Sequence, residues 1–141
     1  MIPSTVRVLL ACPGCGREFD ELSLQSACRD CGSLLDLVVE GDWLATELRP
    51  TWTGRARVAR GFEASGVWRY RELVVPTMGP DEIVSYPEGN TPLISDDRIA
   101  AFTGMNCLEL KHEGMNPTGS FKDRGMTVAM SQARRAGARA V

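Results

Sequence analysis

Basic excess is missing from this 141-residue chain: sixteen Lys and Arg face eighteen Asp and Glu, a formal charge of −2. That balance argues against broad electrostatic binding to nucleic acid or to an anionic membrane surface. Long apolar runs are missing too. The longest uncharged stretch, Ile99 to Leu108, falls well short of the roughly 20 apolar residues that cross a bilayer. An export leader is not expected either. Leu9-Leu10-Ala11-Cys12 has the look of a lipoprotein cleavage box, but no Lys or Arg precedes Arg7. Only Val8 to Ala11 are continuously apolar, where a signal needs about 7–15 such residues. There is no internal repeat, and the one histidine, His112, reads as a surface or strand-end residue and not a catalyst. With 43% hydrophobic and 24% charged residues the composition is globular, so a soluble, cytoplasmic protein of about one domain is expected.

What is present begins with cysteine. Four of the five cysteines read Cys12-Pro13-Gly14-Cys15-Gly16 and Cys28-Arg29-Asp30-Cys31-Gly32, with two residues inside each pair and twelve between the pairs. In a Cys-x-x-Cys-Gly knuckle a tight turn points both sulfurs at one centre, and glycine supplies the positive φ of that turn. Two knuckles offer four thiolates in the tetrahedral arrangement of a closed structural Zn²⁺ site. The flanking stretches Val6 to Leu10 and Leu34 to Val39 read as short strands. A zinc-ribbon-like module over residues 1–40 is therefore expected, with Cys12, Cys15, Cys28 and Cys31 as ligands. Two disulfides fit poorly with a chain that shows no export signal. Between Cys12 and Cys31 lie two basic residues, Arg17 and Arg29, and four acidic ones, Glu18, Asp20, Glu21 and Asp30. Such a surface repels phosphates, so this ribbon is a poor nucleic-acid binder. Cys107 falls in an expected strand and reads as a small buried hydrophobe.

Residues 41–84 show no strong period. Pro50, Gly54, Gly61, Gly66, Pro76, Gly79 and Pro80 punctuate them, which suggests short helices and irregular connections. Arg55, Arg57 and Arg60 read as a solvated face, and Trp43, Trp52, Trp68 and Tyr70 as packing residues.

Organisation sharpens from residue 85. Glu88-Gly-Asn-Thr-Pro-Leu93 is a turn-rich loop, and a short helix from Asp96 to Phe102 should end at Gly104. A strand at Cys107 to Lys111 leads into Asn116-Pro-Thr-Gly-Ser-Phe-Lys-Asp-Arg-Gly125. Ser120 followed by Asp123 fits a capping box, so a helix should start near Phe121. Met126, Ala129, Met130 and Ala133 give it an apolar stripe, and Gly137 its stop. Lys122 is out of place there, because the helix dipole disfavours a cation in the first turn. The same field helps to deprotonate an amine that must attack an aldehyde. The preceding loop, with its backbone N–H groups and the hydroxyls of Thr118 and Ser120, is suited to hold phosphate or carboxylate nearby.

These two segments closely resemble the threonine synthase family of fold-type II pyridoxal-phosphate enzymes, and the paired knuckles extend the resemblance over nearly the whole chain. Ser-x-Lys-x-Arg-Gly alone marks the wider superfamily; the Asn-Pro-Thr-Gly prefix and Asp123 narrow it. The resemblance implies that Lys122 carries pyridoxal 5′-phosphate as an internal aldimine and serves as acid and base, that Phe121 packs on the cofactor ring, and that Ser120 lies near. It also implies O-phospho-L-homoserine and water as substrates, with L-threonine and phosphate as products. Asn90 and Thr91 would shape the pocket wall. A homodimer is the family's pattern.

Family members are much longer. A strand starting at residues 138–141 should lead to a Ser/Thr-Gly-Asn-Thr loop and, later, to a glycine-rich phosphate cradle, and neither occurs here. The expectation is an α/β fold: residues 1–40 as the ribbon, 41–84 as a connecting segment, and 85–141 as the start of an incomplete doubly wound sheet. It reads as an N-terminal fragment, inactive or nearly so alone. Two alternatives are a sister enzyme (a threonine or serine dehydratase, or a cysteate synthase) and a zinc-ribbon binding module whose lysine segment is vestigial.

Overall fold

Branched apolar residues favour extended backbone, and those near the N-terminus build a three-stranded antiparallel sheet. The computed structural model describes residues 6–23, 25–42, 45–58 and 60–140. Strand β1 (Val6–Ala11) lies between β2 (Glu18–Asp20) and β3 (Asp36–Gly41). The register sets Val8 opposite Val39, Leu9 opposite Val38 and Leu10 opposite Leu37. Both expected strands are therefore present. The second starts two residues late because Leu34 makes only an isolated bridge, to Ala27.

The connecting segment holds helix α1 (Ala45–Arg55), three single 3-10 turns and the short helix α2 (Arg71–Val74). Helix α1 runs through Pro50, giving up the hydrogen bond that proline cannot donate. Trp43 lies outside the described residues. The other aromatics pack as expected: Trp68 is fully buried, and Trp52 meets Tyr70 edge-on with ring centroids 5.3 Å apart. Arg55 departs from the expected solvated face. It is buried and binds Glu72 through two hydrogen bonds of 2.9 and 2.7 Å. Burial alone would raise the Glu72 carboxyl, but Arg55 and the Trp52 indole outweigh it and hold the group below its ordinary value.

Strand β4 (Leu93–Ser95) pairs antiparallel with β5 (Glu109–Lys111), and helix α3 (Asp97–Thr103) joins them. The Asp96 carboxylate caps α3 by accepting from the N–H groups of Arg98 and Ile99, and Gly104 ends it at φ 72°. Cys107 lies before β5 and is exposed, so it is neither the strand residue nor the buried hydrophobe expected. Both sheets are antiparallel, and the described residues form no parallel pair. Residues 138–140 form no strand.

Helix α4 (Asp123–Arg135) closes the structure. Its Arg134 and Arg135 occupy the last turn, and Gly137, at φ 75°, ends it as expected. Its buried face is not the methionine and alanine stripe but Thr127 and Ser131. The Trp68 indole donates to Thr127 Oγ1 (2.7 Å), and Thr127 donates to the Val84 carbonyl (2.6 Å). Ser131 Oγ accepts from the Val84 N–H at 2.8 Å. These hydroxyls satisfy backbone groups beside an apolar cluster of Trp68, Val75, Met78 and Ile83, against which Val128 packs. An unsatisfied polar group there costs more than an apolar contact gains, so the hydroxyl face turns inward.

Candidate functional site

Lys122 stands at the entrance of α4, with helical φ and ψ of −60° and −24° and an exposed side chain. Ser120 Oγ accepts from the Lys122 N–H at 3.2 Å, placing the two residues in one short turn. The expected capping box does not form. Asp123 turns back and accepts from the Thr118 N–H (2.8 Å) and the Thr118 hydroxyl, so the helix starts at Asp123 and not near Phe121. A carboxylate spent on the loop fixes the turn that presents the lysine. Gly119 makes this turn possible at φ 75°, donating to the Asn116 carbonyl at 2.8 Å. Beside the lysine, the Phe121 ring is 64% exposed and Met126 is 50% exposed, an apolar surface facing outward. A cleft of about 160 Å³ runs past Thr118, Asp123 and Met126 towards Tyr86.

The two quoted loops meet. Asn116 is buried, and its Oδ1 accepts from the Gly89 N–H at 2.8 Å. Its Nδ2 donates to the Glu113 carbonyl (2.8 Å) and to Glu113 Oε2 (3.0 Å). Arg124 clamps that carboxylate through Nε and Nη2 at 2.8 and 2.9 Å, and Thr91 Oγ1 donates to it at 2.6 Å. Arg124 first, then Thr91, draw the Glu113 carboxyl down to about 2 against its desolvation. Glu113 thus staples the loop at 88–93, the loop at 116–120 and the first turn of α4. It carries no sequence signature: it lies three residues before Asn116 and eleven before Arg124, a spacing that belongs to no regular element. Glu88, 2% exposed, accepts from the Ser65 hydroxyl, the Ser85 hydroxyl (3.1 Å) and the Tyr86 N–H (2.9 Å). His112 is exposed and follows β5 directly, as expected.

The four knuckle cysteines converge on one another. Their sulfurs all lie within 4.8 Å of one another, with Cys12–Cys31 at 3.4 Å and Cys15–Cys28 at 3.6 Å. Both knuckles have one geometry: the Gly16 and Gly32 N–H groups donate to the Cys12 and Cys28 carbonyls at 2.8 and 2.9 Å. Tetrahedral zinc with bonds of about 2.3 Å sets sulfurs about 3.8 Å apart, so the donor set fits such an ion. The Ser33 hydroxyl and N–H draw the Cys31 thiol down to about 6. At Cys15 the Arg17 N–H favours the thiolate, but the adjoining thiols of Cys12 and Cys28 prevail and push it up to about 12.

Among the described residues, no helix is long and apolar enough to cross a membrane.

Comparison with known proteins agrees with this geometry. Residues 84–141, which include the lysine turn and α4, match the family described as pyridoxal-phosphate dependent enzyme. Within it, the similarity is to threonine synthases. The chain is 38% identical over 124 residues to threonine synthase of Methanosarcina acetivorans, covering 88% of this chain and 28% of that protein. It is 34% identical over 134 residues to threonine synthase of Methanocaldococcus jannaschii, covering 95% and 31%. A third, from a Synechocystis strain, is 45% identical over 84 residues, covering 55% and 22%. The chain thus spans about three-tenths of the length of the first two relatives.

Proposed function

We propose that, in a polypeptide of the relatives' length, these residues serve the conversion of O-phospho-L-homoserine and water to L-threonine and phosphate, with Lys122 holding pyridoxal 5′-phosphate. The observation that carries this is the lysine turn: an exposed amine at the entrance of α4, fixed by Ser120 and Asp123, with the bare Phe121 ring beside it. When bound, the cofactor supplies an electron sink for carbanion chemistry. This chain supplies placement and protons. Phe121 offers a flat apolar face to the ring, Ser120 sits in the same turn as the amine, and Lys122 Nζ moves protons at Cα and Cβ of the substrate. Asp123, bound to Thr118, and Arg124, bound to Glu113, hold the turn and do not react.

We further infer that Cys12, Cys15, Cys28 and Cys31 hold a structural Zn²⁺ in a ribbon spanning residues 1–40. The connecting segment is residues 41–84, and the cofactor domain starts at 85 as the first part of a doubly wound α/β sheet. The sulfur distances support the metal assignment, and the family match from residue 84 supports the last boundary.

The test uses the polypeptide extended to the relatives' length. Borohydride reduction with pyridoxal phosphate should place a pyridoxyl group on the peptide containing Lys122, and Lys122→Ala should remove it. O-phospho-L-homoserine should yield equal phosphate and threonine. A 2-ketoacid or a sulfite-dependent product in their place assigns a sister reaction, and an unlabelled Lys122 overturns the reading.

A further inference from the structure

A second polar cavity, of about 440 Å³, opens between the turn at Trp68–Tyr70, the loop at 90–91, strand β5 and Arg124. Neither Lys122 nor Phe121 lines it. Three cations do: Arg69, Lys111 and Arg124. Glu113 is the carboxylate that lines it, and both its oxygens are already taken by Arg124, Thr91 and Asn116. Arg124 and Glu113 therefore neutralise each other. Arg69 and Lys111 have no such partner, since among the described residues neither forms a salt bridge. Lys111 Nζ donates to the Thr91 carbonyl, a neutral acceptor. The Arg69 guanidinium lies 5.8 Å from the Tyr70 ring centroid, and its buried Nε has no hydrogen-bond partner.

The wall adds a backbone constraint. Asn90, at φ 53°, is the one non-glycine with positive φ among the described residues. Its side chain is tied to the Ala64 carbonyl at 2.7 Å. Gly66 lies so close behind that a Cβ there would sit 2.3 Å from the Asn90 nitrogen. Strain kept in a lining residue points to a site whose shape matters.

We propose that this cavity binds a phosphate-class dianion, with Arg69 and Lys111 as its two charge partners. Two unneutralised cations match a doubly charged oxyanion, and guanidinium and ammonium donors suit its oxygens. The site does not rest on the cofactor reading, because none of its lining residues is the lysine that the reading requires. Free phosphate and a phosphate monoester share this chemistry.

The experiment is calorimetric titration of the full 141-residue chain at low ionic strength with inorganic phosphate and, separately, with glycerol 3-phosphate. Saturable binding of one equivalent is expected, weakened about tenfold or more by Lys111→Ala and by Arg69→Gln. Lys111→Arg, which keeps the charge, should retain it. Circular dichroism of each variant checks the fold, and Lys111 is exposed, so its replacement leaves packing intact. Preference for inorganic phosphate identifies a free-ion site, and preference for glycerol 3-phosphate an ester site. Absence of binding overturns the proposal, as does binding that chloride at equal ionic strength abolishes or that Lys111→Ala and Arg69→Gln leave unchanged.

Discussion

Glu72→Ala isolates the buried ion pair of the connecting segment. The Arg55 and Glu72 side chains are 9% and 5% exposed, so solvent screens them little. Breaking such a pair by removing one partner costs about 3–5 kcal/mol, because a buried charge is left uncompensated. Arg55 would keep the Arg69 carbonyl at 2.8 Å and Glu63 at 3.2 Å, which sets the expectation at the lower end, about 3 kcal/mol. The Trp52 indole also loses its acceptor, held at 3.1 Å, so the value should not fall below that. At this chain length each kcal/mol moves the melting temperature by about 3 °C, a drop of about 10 °C in all. Urea denaturation and thermal circular dichroism measure both. The double variant Arg55→Met with Glu72→Leu should recover most of the loss, since an apolar pair of similar volume is often neutral. A Glu72→Ala cost within about 1 kcal/mol of zero, or single costs that simply add in the double variant, would refute the reasoning.

Gly66→Ala should destabilise the chain by about 1–3 kcal/mol in urea titration, because its Cβ would meet Gly89 Cα at 2.8 Å as well as the Asn90 nitrogen. Glu113 gives a pH signature: its carboxyl lies at about 2 when folded against 4.5 ordinarily, so its stabilisation is complete above about pH 4.5 and drains away as pH falls towards 2. Urea midpoints across that window should fall for the parent and fall less for Glu113→Gln. Removal of metal by a chelator, or Cys28→Ser, should lower the melting temperature and abolish binding of one zinc per chain measured by atomic absorption.

Local chemistry was legible in the sequence wherever one residue dictates a backbone state. Gly16, Gly32, Gly104, Gly119 and Gly137 all adopt positive φ, and the knuckles, the end of α3 and the end of α4 follow from them. The meeting of the 88–93 and 116–125 segments was legible as chemistry but not as contact. The residues that join them, Glu113 and Asn116, act through pairings distant in sequence. Three readings failed for one reason, that tertiary partners outbid local preference. Asp123 left the helix cap for Thr118, Arg55 left solvent for Glu72, and α4 buried Thr127 and Ser131 where periodicity favours Met126 and Met130.

The position of Glu21 gives the ribbon a mechanical place in the molecule. It lies between the two knuckles, and its carboxylate accepts from Arg135 Nη2 at 2.9 Å and from the Thr77 hydroxyl at 2.7 Å. The Gln132 side chain donates to its backbone carbonyl. Both α4 partners are in the last turn and a half of that helix, whose other end carries Lys122. A helix of this length is a stiff strut of about 20 Å. Fixing its far end against the ribbon therefore restricts the direction in which the lysine turn points. Part of the acidic surface between the knuckles is used internally: Glu21 meets an arginine of α4 that also reaches Glu82 at 3.5 Å. The four-cysteine module holds that carboxylate in place without a large apolar core, and it braces α4 from the side opposite the cleft beside Asp123 and Met126.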